Sequence, residues 1–366
     1  QFEWTPKCMI RLDFGKPTQE KEQAFAHIPR TQPTLTELLC QIIMKLSDLG
    51  RALARFLGDR KREDTMPNIQ DYVLWRGDLP LDRVPLCDVD ALLLSYLSYM
   101  PYDHIAGDAF DEGISLRDAA QKLLEVNERD KTPLAYNVRE DRKLLAALME
   151  SARFRDIRLV GYVNKVDPEQ EEQFAAVTYL LGEGRAFVAF RGTDNTVVGW
   201  KEDFNMSFLS TVPSQQEAVE YVKQTAESFD GEIYLGGHSK GGNLAVYAAA
   251  FCGEEIRRRI HRVYNNDGPG FSEDIIRRDG YQAVKERIST FVPQSSVVGM
   301  LLEHEEEYTV VHSTQMGIFQ HDAYSWEVLG GDFVRMDRVT DGSVFIDRSL
   351  KDWVAGMGDR KSTRQN

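Results

Sequence analysis

The sequence predicts an α/β domain, with a mainly parallel central sheet and helices on both faces, preceded by an N-terminal helical extension. Three observations point there. Short β-prone runs alternate with helical stretches through the second half of the chain, the pattern of strand–helix–strand units. Phe187 to Phe190 is continuously apolar, as a strand covered on both faces must be. Finally, Glu232-Ile233-Tyr234-Leu235 runs through glycines into the Ala-rich stretch Gly242 to Ala250, which reads as strand, tight turn, helix.

The elements follow in order. Residues 1–64 form an extension distinct from the main domain, 65–366. Within it Leu35, Leu38, Leu39, Ile42, Ile43, Leu46, Leu49, Leu53, Phe56 and Leu57 fall near one helical face. Gly58 and the charged run Asp59 to Asp64 then act as stop and linker. This helix is expected to pack on the main domain or to mediate self-association. The main domain starts near Asn68, with a short strand expected at Asp71 to Trp75 and a buried helix at Val89 to Leu97. Further helices are expected at Leu116 to Val126 and Lys143 to Ser151, then a hairpin from Ile157 to Asn164 and Phe174 to Leu181. Gln215 to Phe229 reads as a helix. His261 to Asn265, Glu286 to Val292 and Tyr308 to His312 read as strands.

Composition excludes several classes of function. The chain has 366 residues and a formal net charge of −14. That balance argues against nucleic-acid binding, which needs clustered Lys and Arg, and gives no attraction to anionic membranes. No apolar run is long enough to cross a bilayer. Cys8, Cys40, Cys87 and Cys252 are widely spaced and suggest neither a zinc site nor a disulfide framework. Nothing near Gln1 reads as a signal peptide. A cytoplasmic protein without metal or organic cofactor is the expectation.

Gly237-His238-Ser239-Lys240-Gly241 is a Gly-x-Ser-x-Gly pattern in its strand–turn–helix frame, which makes Ser239 a candidate nucleophile on a sharp elbow. The alternative is an ordinary Gly-rich turn with Ser239 capping the helix. A tetrahedral oxyanion needs donors. One is the backbone N–H of Lys240. Thr193, in Phe190-Arg191-Gly192-Thr193-Asp194 at the end of an apolar strand, is the candidate second.

The segment Val188 to Phe204, with Phe190-Arg191-Gly192-Thr193 followed by Trp200 and Asp203, resembles the oxyanion loop of class 3 lipases. Gly237-His238-Ser239-Lys240-Gly241-Gly242-Asn243-Leu244-Ala245 is similar to that family's nucleophile segment. The likeness covers roughly residues 155–330. It is greatest to a bacterial lipase-like branch catalogued as a domain of unknown function, which Tyr72 to Asp78 and Gln320 to Trp326 also fit. The resemblance implies an α/β-hydrolase fold, Ser239 as nucleophile, Thr193 and the Lys240 N–H as oxyanion hole, and Trp200 with Asp203 as a structural pair.

Chain order in these hydrolases is Ser, acid, His. His27 and His104 precede the serine, His261 opens a strand, and His238 is expected to point away from the serine's partner. His304 reads as part of a solvated acidic turn. His321 follows the last strand, where the family places its histidine, and His312 is the alternative. At the family's acid position stands Ser296, which cannot balance an imidazolium. Asp267, at the end of the strand after the elbow helix, is the candidate replacement, since carboxyl ends of parallel strands share one edge. Turn chemistry in Asp267-Gly268-Pro269-Gly270 explains it equally well, and Asp322 is a weaker candidate.

The expected function is hydrolysis of a carboxylic ester (an acylglycerol, a phospholipid or a soluble acyl ester) through Ser239, His321 and Asp267. The alternatives are a thioesterase or acyltransferase using the same serine, and a binding protein that kept the fold but lost the acid. Lys240, where the family usually has Leu, either changes the polarity of the pocket or points out along the helix.

Overall fold

Asn68 opens the first element, and it does so by capping a helix. In the computed structural model, which describes residues 66–167, 172–193, 212–341 and 343, α1 spans Ile69–Arg76. The Asn68 side chain accepts from Gln70 N–H while Asp71 accepts from Asn68 N–H, a reciprocal cap that satisfies two orphan donors. Ile69, Tyr72 and Val73 then fall on one buried face. The strand expected at Asp71 to Trp75 is therefore a helix: the apolar residues repeat at helical spacing, and the cap three residues before Asp71 outweighs the β-prone composition.

α2 follows at Asp88–Leu97, then β1 at Ile114–Ser115, α3 at Leu116–Asp130 and α4 at Val138–Glu150. The strands β2 (Arg158–Asp167), β3 (Glu172–Gly182) and β4 (Arg185–Phe190) pair antiparallel in sequence. Then come α5 (Pro213–Ser228), β5 (Glu232–His238), α6 (Lys240–Phe251), α7 (Glu254–Arg259) and β6 (Ile260–Asn266). Two single turns, α8 (Glu273–Ile276) and α9 (Asp279–Gln282), precede β7 (Ile288–Pro293) and β8 (Tyr308–Val311). β9 (Val328–Leu329) and β10 (Asp332–Phe333) form a small ladder of their own, and β11 (Arg335–Met336) closes the main sheet.

The nine-stranded sheet runs β1-β2-β3-β4-β5-β6-β7-β8-β11. Its centre, β4 to β8, is parallel. Its flanks are antiparallel. This is a mixed α/β-hydrolase sheet, parallel at its centre and antiparallel at both flanks.

Alternation along the central strands builds two cores. Phe187, Ala189, Tyr234 and Tyr264 join the α2 side, whereas Val188, Phe190, Ile233, Leu235 and Val263 join the α5–α6 side. The two helix layers thus cover opposite faces, as the period of two demands. α2 is buried all round: Val89, Leu92, Leu93, Leu94 and Leu97 are fully enclosed, each stabilising the fold by about 1.5–3 kcal/mol. Among the described residues no helix is long and apolar enough to cross a membrane. The extension 1–64, its expected helix, and Trp200 and Asp203 lie outside the described residues.

Candidate active site

The parallel register aligns the carboxyl ends of the central strands. Phe190 pairs with Gly237, His238 with Asn266, and Asn266 with Phe291. The Gly192–Thr193 segment, Ser239 and Asp267 therefore emerge along one edge of the sheet.

Ser239 follows β5 with φ 60 and ψ −136, a left-handed conformation that costs a non-glycine residue about 1–3 kcal/mol and persists only where the surroundings impose it. Here they do. Ser239 N–H donates to the Asn266 carbonyl (2.9 Å). The chain must turn into α6 hard against β4: a Cβ on Gly241 would lie 2.1 Å from the Phe190 carbonyl oxygen. Although Ser239 is the N-cap residue of α6, its side chain makes no capping hydrogen bond, so the hydroxyl is not explained as a helix cap.

Gly192 meets the elbow from the other side. A Cβ there would lie 3.0 Å from Ser239 Cβ and 2.0 Å from the Tyr99 hydroxyl. Thr193 is buried, and its carbonyl accepts from the Tyr136 hydroxyl (2.5 Å). The Lys240 side chain is buried and its ammonium donates to the Gln173 carbonyl at the start of β3 (2.8 Å), so it does not point out along the helix.

Asp267 extends β6 by one residue, with φ 53; Asp tolerates this region better than most residues. It is 1% exposed. Its N–H donates to the Phe291 carbonyl (2.8 Å). One carboxylate oxygen, Oδ1, accepts from the Ser296 hydroxyl and from Gly299 N–H (3.1 Å). The other, Oδ2, lies 2.6 Å from His321 Nδ1. Ser296 thus supports the acid rather than orienting the ring directly.

His321 ends a 3-10 turn, Gly317–His321, and its side chain is 25% exposed. Side-chain bonds hold the loop around it. Gln320 accepts from Ser295 N–H (2.7 Å), the Trp326 indole donates to the Gln320 carbonyl (2.9 Å), and the Tyr324 hydroxyl donates to Asp141 (2.9 Å). Burial pushes the Asp141 carboxyl up to about 6, against the Tyr96 and Tyr324 hydroxyls that donate to it.

His238 does not point away from this region. Its ring lies 4.5 Å, centroid to centroid, from that of His321, and its Nε2 is 2.7 Å from the His321 carbonyl oxygen. Spacing along a strand end gives no hint of this, because the loop that returns to the elbow is remote in sequence.

The remaining candidates fall elsewhere. His312 pairs with Glu327 (2.6 Å). Asp322 accepts from Tyr324 N–H (3.0 Å) and caps the next turn. His304 is not in a solvated turn: its side chain is 7% exposed and its Nδ1 lies 2.9 Å from Glu306. Burial works against the Glu306 charge, but His304, Tyr281 and Thr290 surround it with hydrogen bonds and bring its carboxyl down to about 2. Among the described residues no three His, Cys, Asp or Glu side chains gather as a metal site would need, and Cys87 and Cys252 are free thiols.

Residues 148–365 match the model of the Mbeg1-like family. The chain belongs to the Mbeg1-like family. Among solved structures, this member of the family is similar to the M37 lipase at 15% identity, over 58% of this chain and 69% of that one, with a TM-score of 0.36. A mutant form of MDLA from Penicillium cyclopium aligns at 12% identity over 78% of this chain and 91% of its own, TM-score 0.41. A triacylglycerol lipase from Penicillium expansum aligns at 14% identity over 50% and 74%, TM-score 0.33. No curated protein matches the chain.

Proposed function

We propose that this protein is a serine hydrolase that cleaves carboxylic esters through an acyl-enzyme. The observation that carries the reading is the buried carboxylate of Asp267 bonded to His321 Nδ1 at the sheet edge that also bears Ser239 in its strained elbow. A carboxylate on Nδ1 fixes the tautomer and leaves Nε2 to take a proton.

Ser239 Oγ attacks the ester carbonyl as His321 Nε2 accepts its proton. Asp267 balances the resulting imidazolium. The Lys240 N–H, at the N-terminus of α6, and Thr193 stabilise the oxyanion. His321 returns the proton to the leaving alcohol. Water, deprotonated by the same imidazole, then releases the acid and restores Ser239. The substrate is an acylglycerol, a phospholipid or a soluble acyl ester. A serine at 296 motivates a non-catalytic reading, but that argument weakens once a carboxylate one strand away contacts the same imidazole.

Labelling with a fluorophosphonate probe tests the proposal. Wild type is expected to label and Ser239→Ala not to. His321→Ala and Asp267→Asn should slow labelling and turnover of a p-nitrophenyl ester by about 10³–10⁴-fold, the scale seen when a triad loses its base or its acid. A folded wild type that neither labels nor turns over esters overturns it. Thioester turnover exceeding ester turnover would move the assignment to a thioesterase using the same serine.

A further inference from the structure

Most of the donors around the candidate site belong to the elbow, the oxyanion loop or the acid. The His238 side chain and Tyr99 are none of these donors, yet His238 reaches His321 and Tyr99 packs on the Tyr136 that holds the oxyanion loop. We propose that His238 and Tyr99 form a clamp that positions His321, His238 by holding its backbone carbonyl and Tyr99 by supporting the tautomer of the His238 ring. The proposal rests on the serine-hydrolase reading above.

The argument starts from proton bookkeeping. A carbonyl only accepts, so the 2.7 Å contact between His238 Nε2 and the His321 carbonyl requires the proton on Nε2. His238 is 4% exposed. Burial, and after it the neighbouring His321, hold its pKa well below the ordinary histidine value, so the ring is neutral and Nδ1 is an acceptor. The Tyr99 hydroxyl lies 3.1 Å from that Nδ1 and 3.1 Å from the His238 carbonyl, where an O–H donates to either. The Nε2 contact with the His321 carbonyl sets the tautomer, and Tyr99 supports it when its O–H donates to Nδ1.

Two consequences bear on catalysis. His321 is anchored at two points: its ring by Asp267 and its main chain by His238. A ring held by one bond keeps its place only if its backbone does, and the 2.7 Å bond from His238 to the His321 carbonyl restrains that backbone. Moreover, the two rings lie 4.5 Å apart. An imidazolium at His238 would oppose the one that forms at His321 in the transition state; a neutral His238 does not.

Tyr99 also reaches the oxyanion side. Its ring packs 4.8 Å from that of Tyr136, whose hydroxyl binds the Thr193 carbonyl. Its own hydroxyl sits where a side chain at position 192 would be. One tyrosine just beyond the end of α2 thus braces both halves of the site.

The test compares His238→Ala, His238→Gln and Tyr99→Phe with wild type and Ser239→Ala, reading kcat and KM on p-nitrophenyl butyrate, the rate of fluorophosphonate labelling, and Tm. Wild-type activity that vanishes in Ser239→Ala first secures the hydrolase reading. The clamp then requires His238→Ala to lose about 10²-fold in kcat, as a displaced catalytic group does, with KM within about twofold. His238→Gln, which keeps an N–H donor of similar reach, should recover at least about tenfold of that loss, and Tyr99→Phe should lose about three- to tenfold in kcat. A role confined to packing would lower Tm without this kcat–KM split and without rescue by glutamine. Wild-type-like kcat in His238→Ala, or in both His238→Gln and Tyr99→Phe should the alanine variant fail to fold, overturns the clamp alone. A folded wild type that is inert overturns clamp and hydrolase reading together.

Discussion

The two halves of the candidate site are built by different means. The serine half is written into the backbone. Ser239 lies between β5 and α6, its N–H is tied to the end of β6, and Gly241 lets the helix start against β4. The histidine half is written into side chains. His321 sits in a loop after β8, and Asp267, His238, Gln320, Tyr324 and Trp326 supply the bonds that hold that loop and its ring. A backbone-built position resists change except where a steric rule is broken, while a side-chain-built one is adjustable piece by piece.

A steric break in the serine half should therefore cost stability and turnover together. In Gly241→Ala the new methyl meets the Phe190 carbonyl oxygen, a backbone atom with nowhere to go, so α6 must retreat from β4. The expected result is a loss of stability of about 2–3 kcal/mol, at the upper end for an overpacked core, together with at least about 10²-fold lower ester turnover. Thermal unfolding and initial rates measured on one preparation check both, and a variant with wild-type rates would show the elbow to be less constrained than argued.

The histidine half should yield by degrees. Ser296→Ala removes one donor to the Asp267 carboxylate but leaves Gly299 N–H and the His321 contact in place. Turnover is expected to fall about ten- to thirtyfold, in line with the loss of a hydrogen bond to a charged group at the low end of its range, about 1.5–2 kcal/mol. Ser296→Thr should retain most of the activity. Steady-state kinetics of the pair separate loss of the hydroxyl from loss of packing.

The comparison sharpens at its smallest effect. His312 also pairs with a carboxylate, Glu327, at 2.6 Å, but it serves neither half. His312→Ala should leave the labelling rate within about twofold of wild type. A large loss there would mean that the histidine had been misassigned between 312 and 321.

The half built from backbone is more legible in the sequence than the half built from side chains. A Gly-x-Ser-x-Gly between a β-prone run and an Ala-rich run leaves little choice of geometry, and the apolar run Phe187 to Phe190 could only be an inner strand. The contact between Asp267 and His321 is reachable too, because parallel strands end at a common edge. What escapes reading depends on contacts between distant segments. His238 meets His321 across more than eighty residues of chain, and the Lys240 ammonium finds a carbonyl at the start of β3. His304 reads as solvated among its acidic neighbours, yet Tyr281 and Thr290 close over its partner Glu306. α1 reads as a strand because Tyr72-Val73-Leu74-Trp75 is β-prone in isolation, and the cap that decides the matter lies outside that run.

The location of Asp267 carries a consequence for local opening. Its N–H is bound to β7 and its neighbour Asn266 is in register with His238, the last residue of the strand that leads into Ser239. The acid is thus a property of the sheet, whereas the segment beyond β7 that bears Ser296 and Gly299 meets it through the Ser296 hydroxyl and the Gly299 N–H. Sub-global opening of that segment, the kind that hydrogen exchange detects in loops well below the global unfolding energy, would loosen the carboxylate without removing it. Amides of 295–300 are then expected to exchange faster than those of Asn266 and Asp267.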